Sequence, residues 1–170
     1  MSKRTVEIVP FNPLWPTMFE HERQALATIL GTGARIHHIG STSVRGLASK
    51  PIIDILVEVP NVESLDSQTG ALCGLGYVPR GENGIPGRRY FIKGSWERTH
   101  HIHAYCTGSH DVLRHLALRD FLRANTEARD AYAAMKLHAA AECGNDRHTY
   151  VALKDEFVRE LEARALGALR

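Results

Sequence analysis

The sequence predicts an α+β fold, a small mixed α/β sheet flanked by helices, with a helical C-terminal third. Short strand-like runs alternate with turn residues up to about residue 108. The run at 52–59 is β-branched and almost continuously apolar, as expected for a central strand covered on both faces. From Ser109 onward, apolar residues recur at helical spacing. A chain of 170 residues suits a single domain, 1–170, with a sheet-containing core at about 1–108 and C-terminal helices at about 109–168.

Local patterns predict the individual elements. Strands are expected at 5–9, 35–39, 52–59, 77–79, 89–93 and 99–106, and a glycine-rich loop at 81–87. A first helix is expected after Asn12-Pro13, ending at Gly31, and a second between Asn61 or Ser64 and Gly74 or Gly76. Three C-terminal helices are expected to begin at Ser109, at Asn125 or Thr126, and at Asp146.

Composition excludes several classes of protein. Hydrophobic residues make up 44% of the chain and charged residues 24%, which argues against disorder. The net charge of +2 excludes a general basic surface for nucleic acid, and no DNA-recognition helix is present. The three cysteines form no CxxC pair, so neither a zinc knuckle nor a disulfide framework is predicted. Without an apolar leader or membrane segment, a cytoplasmic protein is expected. The sequence leaves the oligomeric state open.

The segment 37–59 carries the clearest chemical signal. A predicted strand ends in Gly40-Ser41-Thr42-Ser43, where glycine allows close backbone approach to an anion and the hydroxyls add donors. Asp54 follows on a buried strand, where a carboxylate requires a cation, a metal ion or hydrogen-bond donors. Magnesium binds through such carboxylates together with phosphate oxygens. Lys50 is a further candidate to neutralise a phosphate or to pair with Asp54.

The histidine run 100–103 predicts additional metal ligands. On a strand, His101 and His103 face the same way, about 6.6 Å apart along the chain. With Asp54 they make a two-histidine, one-carboxylate set, which suits a transition metal better than Mg²⁺, so the expected divalent ion is Mg²⁺, Mn²⁺ or another transition metal. His38 is a further candidate for the same site. The alternative is that these histidines only form hydrogen bonds within a half-buried sheet.

Arg88 and Arg89 follow the glycine-rich loop and are candidate phosphate ligands. Arginine forks match phosphate oxygens, and a mobile loop could bring one over a bound anion. The alternative is a solvated hairpin.

These motifs resemble those of the GrpB family, which belongs to the nucleotidyltransferase-like superfamily. The resemblance is carried by HIGSTSV, GL, KPIIDILV, GIPGRR and THHIH in that order, and extends over nearly the whole chain. It implies a nucleotidyltransferase-like fold. It also implies a neighbouring strand that bears the third metal ligand, for which 99–106 is the best candidate.

One position departs from the superfamily pattern. Active nucleotidyltransferases usually carry two carboxylates two residues apart on the strand, and here Leu56 stands where the second is expected. Glu58 shares the strand face but lies about 13 Å from Asp54. The usual two-metal clamp is therefore in doubt.

Three functions remain open from the sequence. The leading hypothesis is a nucleotide-binding protein that uses a divalent metal ion and transfers a nucleotidyl group. The second is a metal-dependent enzyme of another class with a His/Asp site on the same fold. The third is a non-catalytic module that binds a partner or a nucleotide.

Overall fold

The computed structural model describes residues 6–170 and contains one mixed five-stranded sheet. The strands are β1 (Arg35–Ile39), β2 (Ile53–Val59), β3 (Tyr77–Pro79), β4 (Arg89–Lys93) and β5 (His100–Cys106). Their spatial order is β1-β2-β5-β4-β3. The two central strands, β2 and β5, run parallel, and the other neighbouring pairs are antiparallel.

Five α-helices accompany the sheet. They are α1 (Trp15–Leu30), α2 (Thr69–Gly74), α3 (His110–Ala124), α4 (Thr126–Glu142) and α5 (Arg147–Gly167). Two 3-10 segments, Ser41–Ser43 and Val62–Gln68, precede and follow β2. The predicted α+β class is confirmed.

The sheet is covered on both faces. On one face, Ile55 and Val57 of β2 pack with Trp15 and Leu26 of α1 in the largest apolar cluster. On the other face, Leu56 packs with Ile39, Tyr105 and Val112. Helix α3 contacts β1, β2 and β5, while α5 contacts α3 and α4. The continuously apolar composition of β2 follows from this double coverage.

Three predicted elements differ from the structure near the N-terminus and after β2. Of the strand expected at 5–9, Thr5 lies outside the described residues, and Val9 forms only an isolated bridge with Ser49. The first helix begins at Trp15 and not directly after Asn12, whose side chain accepts a hydrogen bond from the Leu14 amide in the turn before the helix. The helix expected from Asn61 is mostly 3-10, with a single short α-helix at its end.

Two leucines of the C-terminal helices are exposed. Leu113 of α3 is 49% exposed and Leu153 of α5 is 41% exposed. The inner face of α3 instead includes Val112, Ala117 and Leu122. Within residues 6–170, no helix is both long and apolar enough to cross a membrane.

Candidate metal and phosphate site

Asp54, His101 and His103 converge at the start of the two parallel central strands. The register pairs Asp54 with His101 and Leu56 with His103, and alternation directs all three polar side chains to the α3 side of the sheet. Asp54 Oδ1 lies 3.3 Å from His101 Nδ1 and 3.3 Å from His103 Nε2. One ligand atom from each residue falls within 4.8 Å of the others. The neighbouring strand predicted to complete the site is therefore β5.

The electrostatics of this cluster favour a charged carboxylate. Burial by itself raises the pKa of Asp54, but hydrogen bonds and positive charge from His101 and His103 hold that pKa far below its ordinary value. The Asp54 side chain remains 30% exposed, so a ligand can reach its carboxylate from solvent.

The donor set fits a single metal ion. Adjacent ligand atoms around a tetrahedral zinc ion lie about 3.3 Å apart, which matches the two distances from Asp54 Oδ1 to the histidine nitrogens. His101 Nε2 and His103 Nδ1 are buried without a hydrogen-bond partner among the described residues. Buried imidazole nitrogens normally have a hydrogen-bond partner. When one nitrogen of a histidine binds a metal ion, the other usually donates its N–H to a carboxylate, a backbone carbonyl or a water molecule.

Gly40 brings the serine-rich turn directly against Asp54. Its backbone has φ +69° and ψ −174°, a region nearly confined to glycine. A β-carbon at Gly40 would lie only 2.8 Å from Asp54 Oδ2. The predicted association of the Gly-Ser turn with the strand-borne carboxylate is thus present in the structure.

The three hydroxyls of this turn have different partners. Ser43 Oγ donates to the Gly40 carbonyl at 2.5 Å, and Thr42 Oγ1 contacts His38 Nε2 at 2.9 Å. Ser41 Oγ accepts a hydrogen bond from Lys136 Nζ at 2.8 Å and retains its own proton for donation. Ser41 is therefore the hydroxyl best placed to donate to a ligand.

Two lysines lie near the site: the charge of Lys50 interacts with that of Asp54, and Lys136 contacts the turn. Lys50 lies over the Tyr150 ring, with Nζ 4.1 Å from its centroid, and burial lowers its pKa to about 8. Lys136 of α4 is only 3% exposed and also donates to the Ala48 carbonyl. Burial, with repulsion from Lys154, lowers the pKa of Lys136 to about 7. Nothing in the sequence pattern of α4 distinguishes Lys136 from an exposed lysine.

The two loop arginines point to opposite faces of the sheet. Arg88 is buried, donates to the Glu82 and Asn83 carbonyls, and lies over the Tyr90 ring. The Tyr90 ring contacts both His101 and His103. Arg89 instead forms a two-pronged ion pair with Asp66, at 2.8 and 3.1 Å. The structure therefore brings Arg88 near the cluster and places Arg89 away from it.

His38 lies on the opposite face of the sheet from Asp54. Its register partner is Ile55, and its ring stacks on Phe19 of α1. Burial lowers the pKa of His38 to about 4. The structure does not bring His38 into the ligand set, and its neutral ring instead braces Thr42.

His115 of α3 is a site residue that the sequence reasoning missed. Its ring lies 5.6 Å from that of His103, and Nε2 is buried without a partner among the described residues. Burial, assisted by His103, lowers the pKa of His115 to about 3. It lines a small cavity of about 50 Å³ together with Gly40, Ser41 and Arg119. The sequence signal for His115 is its spacing, because it follows Val112 by one turn on the inner face of α3.

The position of the missing second carboxylate is apolar. Leu56 is fully buried in the cluster with Ile39 and Tyr105. Glu58 is 4% exposed and contacts His37 Nε2 at 2.6 Å. Neither residue can join Asp54 on one ion, which supports the sequence-based doubt about a two-metal clamp.

Comparison with known proteins identifies the family. The family model described as GrpB protein matches residues 5–164. The chain belongs to the GrpB family. It is 43% identical over 164 residues to the UPF0157 protein YqkA of Bacillus subtilis, covering 96% of this chain and 48% of YqkA. The chain thus spans about half the length of that relative.

Solved structures support the same assignment. The crystal structure of the conserved protein GrpB from Enterococcus faecalis matches with a TM-score of 0.92 and 39% identity, covering 96% of this chain and 99% of that one. The Cid1 poly(U) polymerase with MgGTP bound matches with a TM-score of 0.55 and 14% identity, covering 78% and 44%. The second likeness shows that this GrpB-family chain has a nucleotidyltransferase-like fold.

Proposed function

We propose that the chain binds one divalent metal ion through Asp54, His101 and His103 and holds the phosphates of a nucleotide or another phosphorylated small molecule at the adjoining turn 40–43. The observation that supports this proposal is the close approach of Gly40 to Asp54, which brings the Gly-Ser turn directly beside the cluster of Asp54, His101 and His103. The nucleotidyltransferase-like fold supports the same interpretation.

The proposed reaction is transfer of a nucleotidyl group to a hydroxyl. The acceptor oxygen bonds to the α-phosphorus, the bond to the pyrophosphate oxygen breaks, and the acceptor proton passes to solvent. A bound ion supplies neutralisation of phosphate charge. Ser41 donates a hydrogen bond to a phosphate oxygen, and Lys50 supplies a positive charge on the same side.

Leu56 favours a second candidate function, a metal-dependent enzyme of another class. With one carboxylate and two imidazoles, the donor set suits zinc, iron, nickel or manganese better than a pair of magnesium ions. Such an ion could activate water for hydrolysis of a phosphorylated molecule. The identity of the metal that co-purifies with untagged protein separates the two candidates.

The metal proposal is tested by calorimetric titration of the untagged chain with Mg²⁺, Mn²⁺ and Zn²⁺, each with and without ATP, GTP, CTP and UTP. We expect Asp54→Asn and the double variant His101→Ala/His103→Ala to lower metal affinity at least about 100-fold, since even outer partners of metal ligands contribute 10–100-fold.

His138→Ala is the matched control, because His138 is an exposed histidine on α4. It should bind metal as the wild type does. Equal metal affinity in the wild type and the triad variants would overturn the metal site. Metal binding without any effect of the four nucleotides would favour the second candidate. An Asp54→Asn variant that keeps the biological activity of the wild type in cells would indicate a non-catalytic module.

A further inference from the structure

A second, larger cavity adjoins the turn and is lined largely by arginine. It has a volume of about 610 Å³, and its lining consists of Ser43, Arg45, Gly46, Arg123 and Arg129. Ser43 belongs to the turn that contacts Asp54 through Gly40, so the turn separates this arginine cleft from the metal cluster. Neither the fold nor the proposed metal site explains why three arginines gather at this position.

The backbone holds two of the three arginines in place. Arg123 Nε donates to the Ser43 carbonyl at 3.0 Å, and Arg129 Nη1 donates to the Arg45 carbonyl at 3.3 Å. A β-carbon at Gly46, which has φ +82°, would lie 3.0 Å from Arg129 Nη1. Because Gly46 has no side chain, the Arg129 guanidinium can lie directly against the backbone at this position. Because Arg123 and Arg129 are hydrogen-bonded to the backbone, the fold itself positions these two arginines of the cleft.

Positive charge in the cleft is incompletely compensated. Asp130 pairs with Arg129 at 2.8 Å, whereas Asp120 pairs with Arg119 and lies 4.0 Å from Arg123 Nη1. The Arg45 side chain has no hydrogen bond or ion pair within residues 6–170. Burial and repulsion from Arg119 lower the pKa of Arg123. The Arg45 fork and the outer nitrogens of Arg123 are thus available to an anion.

The lining selects the chemistry of the ligand. Among the described residues around the cleft there is no aromatic side chain on which a base could stack, and stacking is the usual basis of single-stranded nucleic-acid binding. Guanidinium forks match the oxygens of a phosphate group bidentately. The volume is within the range of small-molecule sites. A phosphorylated small molecule fits these features better than an oligonucleotide.

We propose that the arginine cleft binds the phosphate group of a phosphorylated small molecule that is the second substrate of the site at Asp54. The inference rests on the proposed function only for the role of that molecule in the reaction. Arg45 and Arg123 bind its phosphate directly. Arg129 is a positioning residue that fixes the backbone of the cleft.

The test is titration with inorganic pyrophosphate in the presence of EDTA, which removes any contribution of a metal ion. Since the Arg45 side chain forms no hydrogen bond or ion pair within residues 6–170, Arg45→Gln should leave the melting temperature unchanged. It should lower pyrophosphate affinity about tenfold, the usual effect of losing one charged hydrogen-bond donor. The double variant Arg45→Gln/Arg123→Gln should lower the affinity for pyrophosphate further. Arg159→Gln, a 76% exposed arginine on α5 that pairs with Asp155, is the matched control.

Four outcomes would overturn the proposal. The first is no pyrophosphate binding by the wild type, and the second is equal binding by the wild type and the arginine variants. The third is tighter binding of a single-stranded oligonucleotide than of pyrophosphate through the same arginines. The fourth is loss of pyrophosphate binding in Lys50→Met but not in the arginine variants, which would place the anion at the turn and leave the cleft without a role. Asp54→Asn should retain pyrophosphate binding, so failure of the metal site and failure of the cleft are distinguishable.

Discussion

Among single residues, Gly40 has the most demanding position in the candidate site. Its φ and ψ belong to a region that other residues rarely adopt, and its α-carbon faces the Asp54 carboxylate at close range. A side chain at position 40 would push the Asp54 carboxylate away from the two imidazoles, so this position requires glycine.

We therefore expect Gly40→Ala to destabilise the fold and to weaken metal binding. The backbone strain costs on the order of 1–3 kcal/mol, and the clash with Asp54 adds to it. Gly31→Ala is the matched control, since Gly31 has nearly the same conformation, φ 75° and ψ −173°, and no neighbour within 4 Å of a new β-carbon. Urea unfolding and metal titration of both variants check this. Equal losses of stability, with unchanged metal affinity in Gly40→Ala, would contradict it.

Several site residues could be predicted from the sequence because strand alternation determines which side chains share a face. Alternation predicts that His101 and His103 share a face, and the resemblance to the superfamily implies that their strand neighbours the strand of Asp54. The structure brings the three residues together. The same alternation separates Arg88 from Arg89. By contrast, Lys136 reaches the turn only through the packing of α4, which no local pattern encodes.

At the scale of elements, the boundary between α3 and α4 depends on Asn125. This residue ends α3 and caps α4 by accepting a hydrogen bond from the Ala128 amide at 2.9 Å. Both helices contribute an arginine to the arginine cleft, Arg123 and Arg129, so the junction also sets the spacing of those side chains.

Asn125→Ala should lower the free energy of unfolding by about 1 kcal/mol, because one amide at the start of α4 loses its acceptor. Asn125→Ser keeps an acceptor and should retain most of the stability. Guanidinium unfolding measures both variants. A serine variant as unstable as the alanine variant would show that capping is not the source of the effect.

Most helices and strands could be predicted because their signals are local. The three C-terminal caps, Ser109, Asn125 and Asp146, act as expected. The segment 61–74 does not form the single α-helix that the sequence predicts. Asn61 does cap it, but Val62 and Leu65 are buried under the sheet, and this packing is satisfied by 3-10 geometry. Tertiary contacts of this kind are absent from a sequence pattern.

For the molecule as a whole, burial of Lys136 couples folding to proton release. Its pKa falls from an ordinary 10.5 to about 7 in the folded chain. Between these values the unfolded chain holds a proton that the folded chain has lost, so stability should rise with pH from about 7 to 10.5. The cost of burying the charged form is fully present below pH 7.

Lys136→Met should reduce this slope by up to about 1.4 kcal/mol per pH unit, the value for one proton. Lys50 remains in the variant, and its lowered pKa of about 8 should leave a smaller slope of the same sign. Urea unfolding between pH 7 and 10 measures both proteins. Identical slopes would show that Lys136 keeps its ordinary pKa when folded.

The parallel pairing of β2 and β5 has a consequence for ion selectivity. Seven consecutive residue pairs join the two strands, and Gly40 leaves the Asp54 carboxylate no room to retreat. A ligand set fixed in this way cannot expand around a large ion. Calcium needs six to eight oxygen ligands at 2.3–2.6 Å, whereas smaller ions accept fewer and shorter bonds. The rigidity of the central strands should therefore exclude Ca²⁺ by size, even where it is far more abundant than its smaller competitors.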